Sequence, residues 1–163
     1  MSTFDEVPLV DFYRAGFRLV LLDIDNTLMV HGQSGGNDQA KEKLQQVRRA
    51  GLQPILLSNA KRARAAGVAK DLDCPVIGMA MKPSPKGIYE ALEQTGVKKD
   101  ETLLIGDQIF TDVWAGRRAG IKTILVKPIS LEHEPLQIRL KRKAENYLLR
   151  KFKVQASDKL AEL

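Results

Sequence analysis

Two aspartates one residue apart, Asp23 and Asp25, close the apolar run Leu19-Val20-Leu21-Leu22 and are followed by Asn26-Thr27. Side chains alternate along an extended segment, so a strand continuing through Ile24 sends both carboxylates off one face at its carboxyl end. Close carboxylates repel, which raises a pKa or calls in a cation. Neither helps a fold, so the pair reads as chemistry; the plainer alternative is two acids capping a turn. Polar residues also follow the later apolar runs: Ser58 and Asn59, then Lys82, then Asp107 with Asp112. Three or more acids around one point suit a hard divalent ion, and Mg²⁺ prefers carboxylate and water oxygens with substrate phosphate completing its shell. Ser58, Asn59 and Lys82 would hold phosphoryl oxygens that the ion does not reach. Each has a plainer role as well. Ser58 and Asn59 can cap the next helix, Lys82 can be solvated with Lys86 as a nearby competitor, and Asp112 can be a helix N-terminal acid.

The elements that would position these residues alternate along the chain. Strands are predicted over 18–24, 54–57, 75–77, 102–105 and 122–126. A helix over 39–50 has Asp38 as its N-cap and Gly51 as its stop, and an alanine- and arginine-rich helix follows over 61–69. Ser84 caps a third, with Pro85 at its first position and Gly96 beyond its end, and a fourth runs through Val113, Trp114 and Arg117 to Gly120. Residues 7–17 are a mixed segment, and the glycine-rich passage 31–37 reads as a mobile loop. The pattern predicts an α/β fold: a three-layer, Rossmann-like arrangement with a central parallel sheet of about five strands, right-handed crossovers and helices on both faces. Ligands bind such sheets outside the carboxyl ends of the strands, where every candidate residue falls.

The ordered set resembles the haloacid dehalogenase superfamily. Asp23-Ile24-Asp25-Asn26-Thr27 matches its D-x-D-x-T motif, Leu57-Ser58-Asn59 its second motif, Lys82-Pro83 its third, and Gly106-Asp107 to Asp112 its fourth. The resemblance implies an aspartyl-phosphate mechanism with Asp23 as nucleophile and Asp25 as the acid that protonates the leaving oxygen and later activates water. Relatives that cleave carbon–halogen bonds have no acid two residues on, so Asp25 implies a phosphatase. It also implies Mg²⁺ held by Asp23, the backbone carbonyl of Asp25 and Asp107, with Asp112 either a further ligand or a support for Lys82.

At 163 residues and 44% apolar content the chain fits one domain, 1–163, with its core over about 18–127. The lone Cys74 forms no internal disulfide and reads as a small buried hydrophobe in a reducing, cytoplasmic setting. His31 and His133 are isolated, and Phe110 and Trp114 read as packing residues. Both gaps between motifs are too short for a separate cap domain, which leaves the site open to a large substrate or one presented on a surface; the 31–37 loop is a candidate lid and assembly into an oligomer another way to close it. The net charge of +6 points to an anionic partner. Much of it lies in a C-terminal segment, 136–153, where Leu136, Leu140, Ala144, Tyr147 or Leu148, and Phe152 recur at helical spacing among Arg139, Lys141, Arg142 and Lys143. A basic amphipathic helix of this kind either sits on an anionic membrane or packs on the protein's own sheet. The tail and the 106–113 segment resemble the YqeG-type subfamily IIIA phosphatases, relatives of phosphatidylglycerophosphatase, although Ala60 and Lys61 depart from that group's asparagine-rich pattern. That resemblance implies phosphatidylglycerophosphate as substrate; the alternatives are a soluble sugar phosphate or nucleotide, or a non-catalytic phosphate-binding or regulatory module. Nucleic acid is not expected as a partner.

Overall fold

The computed structural model describes residues 2–132 and 134–151, with side chains outside that description at 146 and 148–151. Five parallel strands, β1 (Leu19–Leu22), β2 (Gln53–Leu57), β3 (Val76–Ile77), β4 (Thr102–Gly106) and β5 (Lys122–Leu125), form one sheet in the order β3-β2-β1-β4-β5. β1 lies at the centre: Leu21 pairs with Ile55 on one side and Leu104 on the other. All four of its residues are buried, as an apolar run covered on both faces must be.

Alternation divides the core into two layers. Val20, Leu22, Leu56, Leu103 and Ile105 pack with Leu9 and Phe12 of α1 (Leu9–Arg14), Leu44 and Val47 of α2 (Asp38–Arg49), and Val68 and Leu72 of α3 (Arg62–Leu72). Leu19, Leu21, Ile55, Leu57 and Leu104 face Ile88 and Ala91 of α4 (Lys86–Thr95) and Ala115 and Ala119 of α5 (Trp114–Ala119). Helices thus cover both faces of a parallel sheet in a three-layer, Rossmann-like architecture. A last helix, α6 (Leu136–Lys151), follows Pro135. No helix among the described residues is long and apolar enough to cross a membrane.

Several local expectations shift. β1 ends at Leu22, so Asp23 lies in the loop rather than within an extended segment reaching Ile24. Asn37, not Asp38, caps α2: its side chain accepts from the Ala40 amide at 2.8 Å, the bond expected of an N-cap. Pro85 takes the cap position of α4, and Ser84 offers only a 3.4 Å contact to the Lys86 amide. The mixed N-terminal segment holds α1, whose Leu9 and Phe12 enter the core. Trp114 is exposed and pairs edge-on with Phe110, so it is not a core residue.

The C-terminal helix gives the largest surprise. Leu136, Leu140 and Tyr147 are 70%, 57% and 64% exposed, so the apolar stripe faces away from the protein. Among the described side chains of this helix, Arg142 and Glu145 are the buried positions instead. Phe152 and Lys153 of the expected helical segment, and His133, lie outside the described residues.

Candidate active site

The strand ends bring Asp23, Ser58, Asn59, Lys82, Asp107 and Asp112 to one side of the sheet. Asp23 is fixed by its own amide, which donates to the Ile105 carbonyl of β4 at 3.0 Å. Ser58 and the segment before Lys82 are stitched together: the Ala80 amide donates to the Ser58 carbonyl and the Met79 amide to the Ala60 carbonyl, each at 2.9 Å. Met79 and Met81 both adopt positive φ, 51° and 55°, a conformation costly for side-chain-bearing residues and common where a loop is bent to serve a site. Asn59 completes the bracket by accepting from the Lys82 amide at 2.7 Å and donating to the Lys82 carbonyl at 2.9 Å. Its carboxamide is therefore engaged with the lysine backbone.

Lys82 then reaches two carboxylates, Asp23 at 2.5 Å and Asp112 at 2.6 Å. Asp112 sits in a π-helical turn, Ile109–Val113, a widened turn of the kind that clusters at functional sites. Its second oxygen accepts from the Gln108 amide at 3.1 Å. A Cβ on Gly106 would overlap the Asp112 carboxyl, so only glycine leaves room for this approach. Ser58 is buried and its hydroxyl oxygen accepts from the Ala60 amide at 3.0 Å, leaving its proton to donate.

Asp23, Asp107 and Asp112 each turn an oxygen into one volume, the three atoms lying within 4.8 Å of one another, all buried. With Glu134 counted, four carboxylates stand against two cations, Lys82 beside Asp23 and Asp112 and Arg142 beside Asp107 and Glu134, which leaves excess negative charge. Burial pushes Asp23 well up, helped by Asp112 and Asp107 and opposed by Lys82, while burial and Asp112 lift Asp107 to about 6 despite Arg142. Lys82 is held above its usual value, since the two carboxylates outweigh its burial. All-oxygen donors, short of positive charge, fit a hard divalent cation.

Asp25 stands in a different setting. Burial pulls its pKa upward, but hydrogen bonds from Arg64 and the Gly32 amide, with the charge of Arg64, outweigh that and hold the carboxyl below its usual range. Arg64 contributes two bonds, at 2.8 and 2.7 Å, and the Gly32 amide one at 2.8 Å. His31 lies 3.5 Å away, so it is not the isolated residue its sequence position indicates. The glycine-rich loop is likewise tied down, by Gly32 to Asp25, by Gln33 to Arg64 and by Gly36 to Asp71.

Sequence reasoning missed three further charged residues. Arg64 had a readable signal: it lies in the first turn of α3, where a cation opposes the helix dipole unless an anion meets it. Lys43 of α2 is buried and donates to the Thr27 carbonyl at 3.1 Å, pinning the loop after Asp25. Arg142 of α6 pairs with both Asp107 and Glu134, and nothing in a basic helical segment marks which of its cations turns inward.

A family model described as haloacid dehalogenase-like hydrolase matches residues 36–120, which carry Ser58, Lys82, Asp107 and Asp112. The chain belongs to that family. Within the haloacid dehalogenase-like hydrolases it is 30% identical over 134 residues to "Probable phosphatase YqeG" of Bacillus subtilis, covering 82% of this chain and 77% of that one. It is 27% identical over 149 residues to phosphatidylglycerophosphate phosphatase 1 of Arabidopsis thaliana, covering 85% of this chain but 42% of that longer protein. A Listeria monocytogenes protein of solved structure shares the fold with a TM-score of 0.57 at 18% identity, over 74% of this chain and 86% of that one. The chain is a phosphatase of this family.

Proposed function

We propose that the protein is a Mg²⁺-dependent phosphomonoester hydrolase that works through an aspartyl-phosphate intermediate on Asp23. The observation that carries the reading is the separation of two acids one residue apart: Asp23 joins Lys82 in the carboxylate cluster, while Asp25 is held outside it by Arg64. Asp23 attacks phosphorus in line as the bond to the leaving oxygen breaks, and Asp25 gives that oxygen a proton. Water then attacks the aspartyl phosphate and Asp25 takes its proton. The ionised resting state of Asp25 suits this second step. For the first it must arrive protonated, so that step draws on the fraction of the protein in which Asp25 carries its proton. Ser58 and Lys82 bind phosphoryl oxygens, with Asn59 holding the Lys82 backbone. Asp23, the Asp25 carbonyl and Asp107 would hold Mg²⁺, which supplies charge neutralisation for attack on an anion. Asp112 supports Lys82 and stands close enough to bind the ion or its waters.

Hydrolysis of p-nitrophenyl phosphate with Mg²⁺, with EDTA, and by Asp23→Asn tests the chemistry. Activity is expected only in the first; turnover that survives EDTA or the substitution sinks the mechanism.

For substrate, phosphatidylglycerophosphate is favoured over a soluble sugar phosphate or nucleotide. The outward stripe of Leu136, Leu140 and Tyr147, flanked by exposed Arg139, Lys141 and Lys143, supports a peripheral seat on an anionic, cytoplasm-facing membrane. α6 is joined to the site through Arg142, and exposed Met79 and Met81 precede Lys82, so apolar side chains border the residues that would receive the head group. Phosphate release from the lipid in mixed micelles should exceed that from sugar phosphates, and co-sedimentation with phosphatidylglycerol vesicles should drop in Leu136→Glu/Leu140→Glu. Equal rates on soluble substrates, or unchanged sedimentation, would remove the lipid reading.

A further inference from the structure

The segment beyond β5 closes on the site through a set of polar ties. Glu134 accepts from Arg142 Nε with both oxygens, at 2.7 and 2.8 Å, and from the Asn26 side-chain amide at 2.6 Å. Arg142 places one terminal nitrogen on Asp107 Oδ2 and the other on the Asp107 carbonyl at 3.2 Å. Glu145, one helical turn on, accepts from the Phe110 amide at 2.9 Å. Asn26 follows Asp25 directly, so a single chain of contacts, Asn26 to Glu134 to Arg142 to Asp107, joins the loop after β1 to the loop after β4.

A guanidinium is a rigid planar fork, and here it meets Asp107 at the side chain and the main chain together. That fixes the carboxyl against rotation. Oδ2 is occupied by Arg142, while Oδ1 has, among the described residues, only the Thr27 hydroxyl at 3.4 Å. Groups of this kind, one step removed from an ion, set the direction in which a ligand oxygen points. We propose that Arg142, itself held by Glu134, is a positioning residue that aims Asp107 Oδ1 at the divalent cation. The proposal rests on the metal-dependent reading of the site.

The sign of the effect separates positioning from charge. Removing a cation beside Asp107 would by electrostatics alone tighten binding of a second cation; removing the group that orients the ligand weakens it. Mn²⁺ binding to the full chain, followed by electron paramagnetic resonance of the free ion, reads this without catalysis. Arg142→Gln should weaken binding about 10- to 100-fold. Arg142→Lys, which keeps a charge but not the fork, should fall between, as should Glu134→Gln, which keeps Arg142 and the shape of its partner. Gln137→Ala, exposed on the same helix, should match the parent. Thermal unfolding in EDTA restricts the comparison to variants that are folded at the titration temperature, and Glu134→Gln carries the test if Arg142→Gln is not. Unchanged or tighter Mn²⁺ binding in these variants overturns the proposal, the tighter result making Arg142 a competitor of the ion. If Asp107→Asn loses the ion while they keep it, positioning alone has failed; if the parent chain binds none, the metal-dependent reading has failed with it.

Discussion

Arg64 meets both oxygens of Asp25, at 2.8 and 2.7 Å, from the first turn of α3. These bonds help hold Asp25 below its usual pKa, so Arg64→Gln should let burial raise it. The acidic limb of the pH–rate profile, where Asp25 must be ionised to take a proton from water, is expected to move to higher pH. A limb that stays in place would separate Arg64 from the proton transfers.

Lys82 is the cation that two buried carboxylates share, so replacing it by the apolar Lys82→Met leaves Asp23 and Asp112 without that charge, Asp112 keeping only the Gln108 amide. Breaking a buried pair from one side costs about 3–5 kcal/mol. The urea midpoint in EDTA should fall accordingly and recover in part with Mg²⁺, while activity stays lost. A midpoint equal to that of the parent chain would mean the carboxylates are neutral without the lysine.

The raised pKa of Asp107 gives stability a pH dependence opposite to that of an ordinary salt-bridged acid. With the folded value near 6 and the ordinary value 3.8, the folded state binds the proton more tightly between them. Stability from this group is therefore complete below about pH 4 and lost as pH rises through about 6. Asp25, with its lowered value, acts in the opposite sense at lower pH, its contribution falling away as pH drops through its folded pKa. In EDTA stability should rise by on the order of 1–2 kcal/mol as pH is lowered from 7 to 5, read as a higher melting temperature. Saturating Mg²⁺ should flatten that slope.

Two glycines should respond in opposite ways to alanine. At Gly106 the added methyl overlaps Asp112 and would push that carboxyl off Lys82, so Gly106→Ala should cost about 1–3 kcal/mol and most of the activity. A methyl added at Gly67, inside α3, would meet the Ser34 carbonyl oxygen at an ordinary 3.7 Å, and Gly67→Ala should stabilise by about 0.5–1 kcal/mol with activity kept. Urea titrations and p-nitrophenyl phosphate rates on both variants check the contrast.

The sheet was legible because each strand is a short apolar run ending in small or polar residues, and the rule that ligands gather at carboxyl ends then located Asp23, Ser58, Lys82 and Asp107. What the sequence hid was the far reach of long side chains. Arg64, Lys43 and Arg142 start on helices, and helical periodicity reports which face is apolar without reporting which cation finds a carboxylate or carbonyl across a loop. α6 shows the limit most clearly: its stripe was readable, but the inward side is the one carrying Arg142 and Glu145. The Asn37 cap was missed by one position because Asn and Asp are both good caps and stand side by side.

The strand order also bears on how the chain emerges from the ribosome. β1 is made first yet ends up with β2 on one side and β4 on the other. A growing chain can pair one side once residues 53–57 are out, but the other edge stays bare until 102–106 follow. During that interval the nascent protein carries an open apolar strand edge next to Asp23, a template for unwanted pairing that disappears only when β4 docks.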